Sequence, residues 1–249
     1  MADPLFAKAG LHALNLGQAW SAVLAFSFQL FLDFSAYTEM AIGSALIFGL
    51  ILPENFRRPY VATDIRDFWR RWHISLSNFL RDYLYIPLGG SRHGPWCYVV
   101  ATMVTMGLCG LWHGAGWTYV AWGLWHGLGL AVCHGWQRFG RPMPKLAGWF
   151  ITMLFVLAGW VIFRAASFTV AASILASLAG GGGMGGALQE IKLLIAAALV
   201  SALIPSAHEI INGLKKPHPA LAVGAAALAV YCLLEVGEGA PVNFIYFQF

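Results

Sequence analysis

Runs of about 20 mainly apolar residues, separated by short polar stretches, recur along this chain. Each is long enough to cross a hydrocarbon core of about 30 Å as a helix. Lipid leaves helices or closed barrels as the only spanning forms, because every backbone polar group must be satisfied within the protein. The runs predict helices. Of 249 residues, 59% are hydrophobic and 10% charged, against roughly 25% charged in an average soluble domain. The expected fold class is therefore all-α, a polytopic transmembrane helical protein lying in the lipid bilayer as a single membrane domain, 1–249. The formal charge of +4 is scattered between apolar spans, not gathered on one basic face, and so does not point to nucleic acid.

The first apolar block, about 16–52, is interrupted by DFSAYTE (33–39) and reads as two spans, 16–32 and 36–52, with a polar break. Further spans are expected at 96–112, 117–136, 146–163, 187–204 and 220–234. Between them, 53–95 is the most charged part of the chain. Threading the spans alternately puts the amino terminus, 53–95, 138–145 and 206–218 on one side, with thirteen of the fifteen Lys and Arg residues, Arg141, Lys215 and Lys216 among them. That asymmetry marks the cytoplasmic face. The amino terminus lacks the pattern of a secretory signal. GGGGMGG (180–186) reads as a flexible loop, and the short apolar stretch 167–178 before it as a surface-lying helix. Cys97, Cys109, Cys133 and Cys232 lie singly, without CxxC or metal-ligand spacing, so no metal site is expected.

Two stretches carry chemistry. In DIRDFWRRWHISLSNFLRDYLY (64–85), Trp69, Trp72, Leu76, Phe79, Leu80 and Tyr83 recur at helical spacing. One amphipathic helix or two short ones follow, amphipathic or re-entrant in the membrane, and an interfacial helix touching lipid phosphates would look the same. His73 stands beside Trp72 on the apolar side, where an ionisable group needs a partner or a task. In GLCGLWHGAGWTYVAWGLWHG, His113 and His126 occupy two copies of LWHG. Were 113–126 one continuous helix, they would be roughly 20 Å apart and unable to share a small reaction centre. Histidine suits proton transfer near neutrality, as a hydroxyl attacking a thioester requires. No GxSxG elbow, HExxH helix or Walker loop is present. Asp33 and Glu39 form an intramembrane acidic pair that fits either a bend or a proton site.

Three motifs, QLFLDFSAYTEMAIGSALIFG, LPENFRRPYVATDIRDFWRRWHISLSNFLRDYLYIPLGG and GLWHGAGWTYVAWGLWHG, resemble the membrane-bound O-acyltransferase family, and within it the bacterial alginate O-acetyltransferase branch; FRAASF (163–168) and the closing FIYFQF resemble it too. The resemblance implies a ring of helices around a central tunnel in which donor and acceptor meet from opposite faces. It implies His113 as the catalytic residue and His73 in the same tunnel, with Arg71, Trp72, Ser75, Asp33, Tyr37, Trp112 and Gly114 as tunnel residues, and gives His126 no catalytic role. It further implies acetyl-CoA as acyl donor with no bound cofactor, an exported alginate-like polysaccharide as acceptor, a periplasmic acetyltransferase-like partner protein, and a multi-pass place in the bacterial inner (cytoplasmic) membrane. Peptidoglycan O-acetylation and teichoic-acid D-alanylation are the alternatives within the family; a proton-coupled transporter, a haem protein or an inactive fragment are those outside it. Members of the family are usually longer, so the chain reads as the C-terminal half of the fold, whether a fragment, a mis-called start or part of a split enzyme.

Overall fold

The computed structural model describes residues 2–140, 143–213 and 219–238; Arg141, Lys215, Lys216 and the closing FIYFQF lie outside them. All regular elements among the described residues are helical, and they fall into two units, Met1–Ile204 and Pro205–Phe249. The second unit contains α10 (Ala207–Gly213) and α11 (Pro219–Glu238). Ser206 and Glu209 cap α10 reciprocally, each side chain accepting from the other's backbone N–H at 3.0 and 3.2 Å.

The first unit opens with α1 (Ala2–Ala9) and α2 (Leu16–Ile47). Asn15 begins α2 through a capping box, its side chain accepting from the Gln18 N–H at 2.9 Å, which satisfies one of the donors a helix start leaves open. DFSAYTE does not divide this block. It lies inside one unbroken helix, where the Ser35 hydroxyl donates to the Leu32 carbonyl and the Thr38 hydroxyl to the Ser35 carbonyl. Polar side chains raise the cost of a span, but they do not interrupt the helical backbone as Pro or paired Gly would. The two spans expected at 16–32 and 36–52 are thus a single helix, roughly 48 Å long at 1.5 Å per residue. Its first half is buried along Ala19, Val23, Phe26, Leu30 and Phe34, and its second half is exposed, Ile47 at 83%.

After α2 come α3 (Ile65–Arg71), α4 (Ile74–Leu80) and a π-turn at Arg81–Tyr85, then α5 (Pro95–His113), α6 (Trp117–Phe139), α7 (Lys145–Arg164), α8 (Phe168–Leu178) and α9 (Ile191–Leu203). Three helices, α2, α5 and α7, are long and apolar enough to cross a membrane. Helices α5 and α6 form a hairpin whose backbones touch. A Cβ on Gly123 would overlap the Met106 carbonyl, and one on Gly110 would overlap the Tyr119 carbonyl, so small residues permit the close approach, as is usual between membrane helices.

Because α2 crosses once, the path of the chain differs from the expected threading. Asp3 pairs with Arg164 at 2.7 Å, which joins the amino terminus to the far end of α7. The glycine-rich loop packs there as well: Leu16 and Gly17 donate backbone hydrogen bonds to Gly183 and Gly185, and Gln189 donates to the Ser21 hydroxyl. Lys8 therefore belongs with Arg164 and Lys192, not with the arginine-rich side. The segment joining α2 to α5 still holds Arg57, Arg58, Arg66, Arg70, Arg71, Arg81 and Arg92, so most of the basic residues remain in one connection. Residues 180–186, expected as a flexible loop, are thus anchored by backbone pairing to the start of α2.

Replacing Gly123 by Leu should separate α5 from α6. The expected outcome is loss of monodisperse protein in detergent and a lower unfolding midpoint, whereas a Gly135→Leu control, where a Cβ meets nothing within 4 Å, should leave both unchanged.

Candidate active site

Residues 53–80 enter between the helices from the arginine-rich side. Trp72 lies 4.9 Å from Trp160, which stands roughly 22 Å along α7 from Lys145. The segment is therefore re-entrant, not merely interfacial. Its buried face is aromatic: Phe56 meets Phe31 and Phe34, Phe68 stacks on Trp72 at 5.6 Å, and Trp69 meets Trp122 at 6.0 Å. The Tyr60 hydroxyl donates to the Ser27 carbonyl of α2 at 2.7 Å, and Trp149 of α7 donates to the Tyr60 carbonyl at 2.9 Å. Both the hydroxyl and the carbonyl of Tyr60 are thereby satisfied inside the protein, as lipid surroundings require.

At its tip the chain turns sharply. His73 has φ 43° and ψ 57°, a left-handed conformation that costs a non-glycine residue roughly 1–3 kcal/mol and persists only where neighbours enforce it. The neighbours are Asn55 and Arg57. The Arg57 N–H donates to the Arg71 carbonyl and the Ile74 N–H to the Asn55 carbonyl, both at 2.9 Å. The Asn55 side-chain oxygen lies 3.2 Å from the Ser75 N–H, 2.9 Å from the Ser75 hydroxyl and 3.1 Å from His73 Nδ1. The His73 ring stands edge-on to Phe34 at 4.9 Å.

His113 ends α5 at the opposite face, where Gly114 and Gly116 flank the turn into α6. Its ring is edge-on to Trp122 at 5.1 Å and Phe163 at 5.3 Å. His73 and His113, forty residues apart in sequence, border one aromatic cluster: Trp72, next to His73, contacts Trp160, and Trp160 contacts both Trp122 and Phe163. One comes from the re-entrant tip and the other from the end of a spanning helix.

His126 is placed differently. The turn at 114–116 folds it back along α6, so it is not separated from His113 by the length of one helix. Both rings contact Trp122, at 5.1 and 5.0 Å. His126 is 0% exposed, and its Nδ1 accepts from the Trp69 indole N–H at 3.3 Å. It ties α6 to α3.

The other residues expected to line a tunnel divide. Trp72 is buried and Ser75 bonds Asn55, both beside His73. Arg71 pairs with Asp67 at 2.8 Å and turns towards the Arg57 carbonyl. Asp33 and Tyr37 sit on α2 on either side of Phe34's turn, with Tyr37 52% exposed; Trp112 is 62% exposed; Gly114 packs against the Tyr119 ring. Reading the sequence missed Asn55, Trp122, Trp160 and Phe163. Asn55 left one signal, an uncharged polar residue inside the quoted motif LPENFRRPY.

On the arginine-rich side, Arg66, Arg70, Arg81, Tyr85, Tyr98 and Thr105 line a pocket of about 250 Å³. Its α5 wall, Thr102, Thr105 and Met106, continues along the same helix towards His113, roughly 12 Å beyond Thr105.

Replacing His126 by Phe keeps volume but strands the Trp69 N–H. A buried unsatisfied donor costs about 1–3 kcal/mol, so the expected result is a lower unfolding midpoint in detergent with membrane insertion retained; an unchanged midpoint would mean that this bond contributes nothing.

Residues 5–175 match the model of the membrane-bound O-acyltransferase family. The chain is 46% identical over 172 residues to a peptidoglycan O-acetyltransferase of Helicobacter pylori, covering 68% of this chain and 33% of that protein. It is 49% identical over 173 residues to a probable alginate O-acetylase AlgI of Pseudomonas aeruginosa, covering 69% and 32%. Against a teichoic acid D-alanyltransferase of Streptococcus thermophilus the figures are 32% over 162 residues, 55% and 39%. The chain spans about a third of the length of the curated relatives it matches. With the matched region running from α1 into α8 and containing both His73 and His113, the chain belongs to the membrane-bound O-acyltransferase family.

Proposed function

We propose that this chain is the histidine-bearing part of an O-acetyltransferase of the bacterial inner membrane, passing an acetyl group from a cytoplasmic thioester, acetyl-CoA, towards an exported alginate-like polysaccharide. The observation that carries the reading is that the tip bearing His73 and the end of α5 bearing His113 close on one aromatic cluster: Trp72 contacts Trp160, which contacts the Trp122 and Phe163 rings against which His113 stands. The arginine-lined pocket supports a phosphate-bearing donor on the cytoplasmic side, since guanidinium groups match phosphate oxygens in charge and geometry.

In the transfer, an acceptor hydroxyl gives its proton to His113 while its oxygen bonds to the acetyl carbon. The C–S bond breaks, and the departing thiolate recovers the proton. A periplasmic acetyltransferase-like partner protein would carry the group onward to the polysaccharide. The peptidoglycan O-acetyltransferase relative, 46% identical, favours a second reading in which the chemistry is the same and the acceptor is peptidoglycan.

A positioned base contributes about 10²–10⁴-fold in rate. In the complete complex, His113→Ala should therefore abolish detectable transfer of labelled acetyl groups while the protein stays in the membrane; retention of most of the activity would remove His113 from the mechanism. His73→Ala should lower turnover at least about tenfold, and wild-type turnover would make His73 structural. Supplying the label as acetyl-CoA to intact membranes, then separating polysaccharide from peptidoglycan, tells the two acceptors apart.

A further inference from the structure

We propose that Asn55 is a positioning residue for this transfer, holding His73 with its proton on Nδ1 so that Nε2 is the nitrogen that exchanges a proton. The inference rests on the reading of His73 as part of the transfer centre.

The argument begins with the amide of Asn55, which has an acceptor end and a donor end that must be told apart by their partners. A backbone N–H only donates. That of Ser75 lies 3.2 Å from the Asn55 side-chain oxygen, and the Ser75 hydroxyl lies 2.9 Å from the same atom. Rotating the amide would set its NH₂ group against the Ser75 N–H, donor against donor. The oxygen is thereby fixed in place. The same oxygen lies 3.1 Å from His73 Nδ1, and an oxygen that only accepts bonds a ring nitrogen only when that nitrogen carries hydrogen. Whether the ring is neutral or charged, Nδ1 keeps its proton. Nε2 then carries a lone pair in the neutral ring and acts as acceptor, not donor, towards a hydroxyl.

The backbone of Asn55 reinforces this. Its carbonyl accepts from the Ile74 N–H at 2.9 Å, so one residue bonds three successive positions, 73, 74 and 75, across the left-handed turn. Asn55 is 7% exposed, which keeps water from competing for its oxygen. His126 is the contrast within the same protein. The Trp69 indole N–H, which can only donate, points at its Nδ1, so its proton is on Nε2. The two histidines are held in opposite tautomers by partners of opposite character.

The test is the nitrogen-15 spectrum of imidazole-labelled protein in lipid nanodiscs, with His73 assigned by its disappearance in His73→Gln. The expected wild-type spectrum shows His73 protonated on Nδ1 and bare on Nε2. Asn55→Asp, which keeps an acceptor oxygen, should retain that tautomer, and Asn55→Ala should lose it. In the complete complex, Asn55→Ala should lower kcat at least about tenfold with little change in KM, and Asn55→Asp should recover most of it. A wild-type His73 protonated on Nε2 overturns the proposal without any variant of Asn55, as does an unaltered tautomer in Asn55→Ala. If His73→Ala itself turns over normally, the reading of the site fails, and the positioning role falls with it.

Discussion

The structure of the first unit depends on one constraint: a charged, irregular chain segment can lie among membrane helices only if its backbone groups find partners and its inward side chains are apolar or themselves bonded. Residues 53–80 meet both conditions. Phe56, Phe68, Trp69 and Trp72 fill the space between α2, α6 and α7, while Tyr60 and Asn55 bond the neighbouring backbone and side chains. Two arginines near the tip are held by carboxylates, Arg57 by Glu54 and Arg71 by Asp67. Without this wedge His73 would lie at the membrane surface, far from the end of α5.

Much of this arrangement was legible in the sequence. Apolar runs of spanning length dictate helices, and a histidine on the apolar side of an amphipathic stretch needs a bonding partner, here Asn55. The polar stretch DFSAYTE was misleading because side-chain polarity says little about backbone continuity. Its hydroxyls bond carbonyls of their own helix, so no break is needed. The helical spacing of 64–85 predicts one amphipathic helix or two short ones; two form, with Trp69, Trp72 and Leu80 buried and Phe79 and Tyr83 exposed. The left-handed residue at position 73 rotates α4 relative to α3, so each helix sets its own buried positions, Trp69 before the turn and Leu80 after it. No periodicity calculation contains that rotation.

The relation of the histidines was hidden for a similar reason. Spacing along one helix would have separated His113 from His126, yet the turn at 114–116 sets both against Trp122. Contact does not give them equal roles. His126 is fully buried and committed to Trp69, whereas His113 stands at the end of α5 against Trp122 and Phe163. A residue such as Asn55 becomes visible only once the 54–58 and 71–75 segments are seen side by side, because its partners are eighteen to twenty residues away. Function in this fold therefore follows from which segment is allowed to enter the membrane core, and the aromatic residues decide that.

The most direct measurement of this account is photo-crosslinking from position 73. With benzoylphenylalanine in place of His73 in native membranes, mass spectrometry should find adducts on α2 around Phe34 and at the His113 turn. Adducts confined to lipid, or to the arginine-rich mouth alone, would contradict a re-entrant segment that brings the two histidines together.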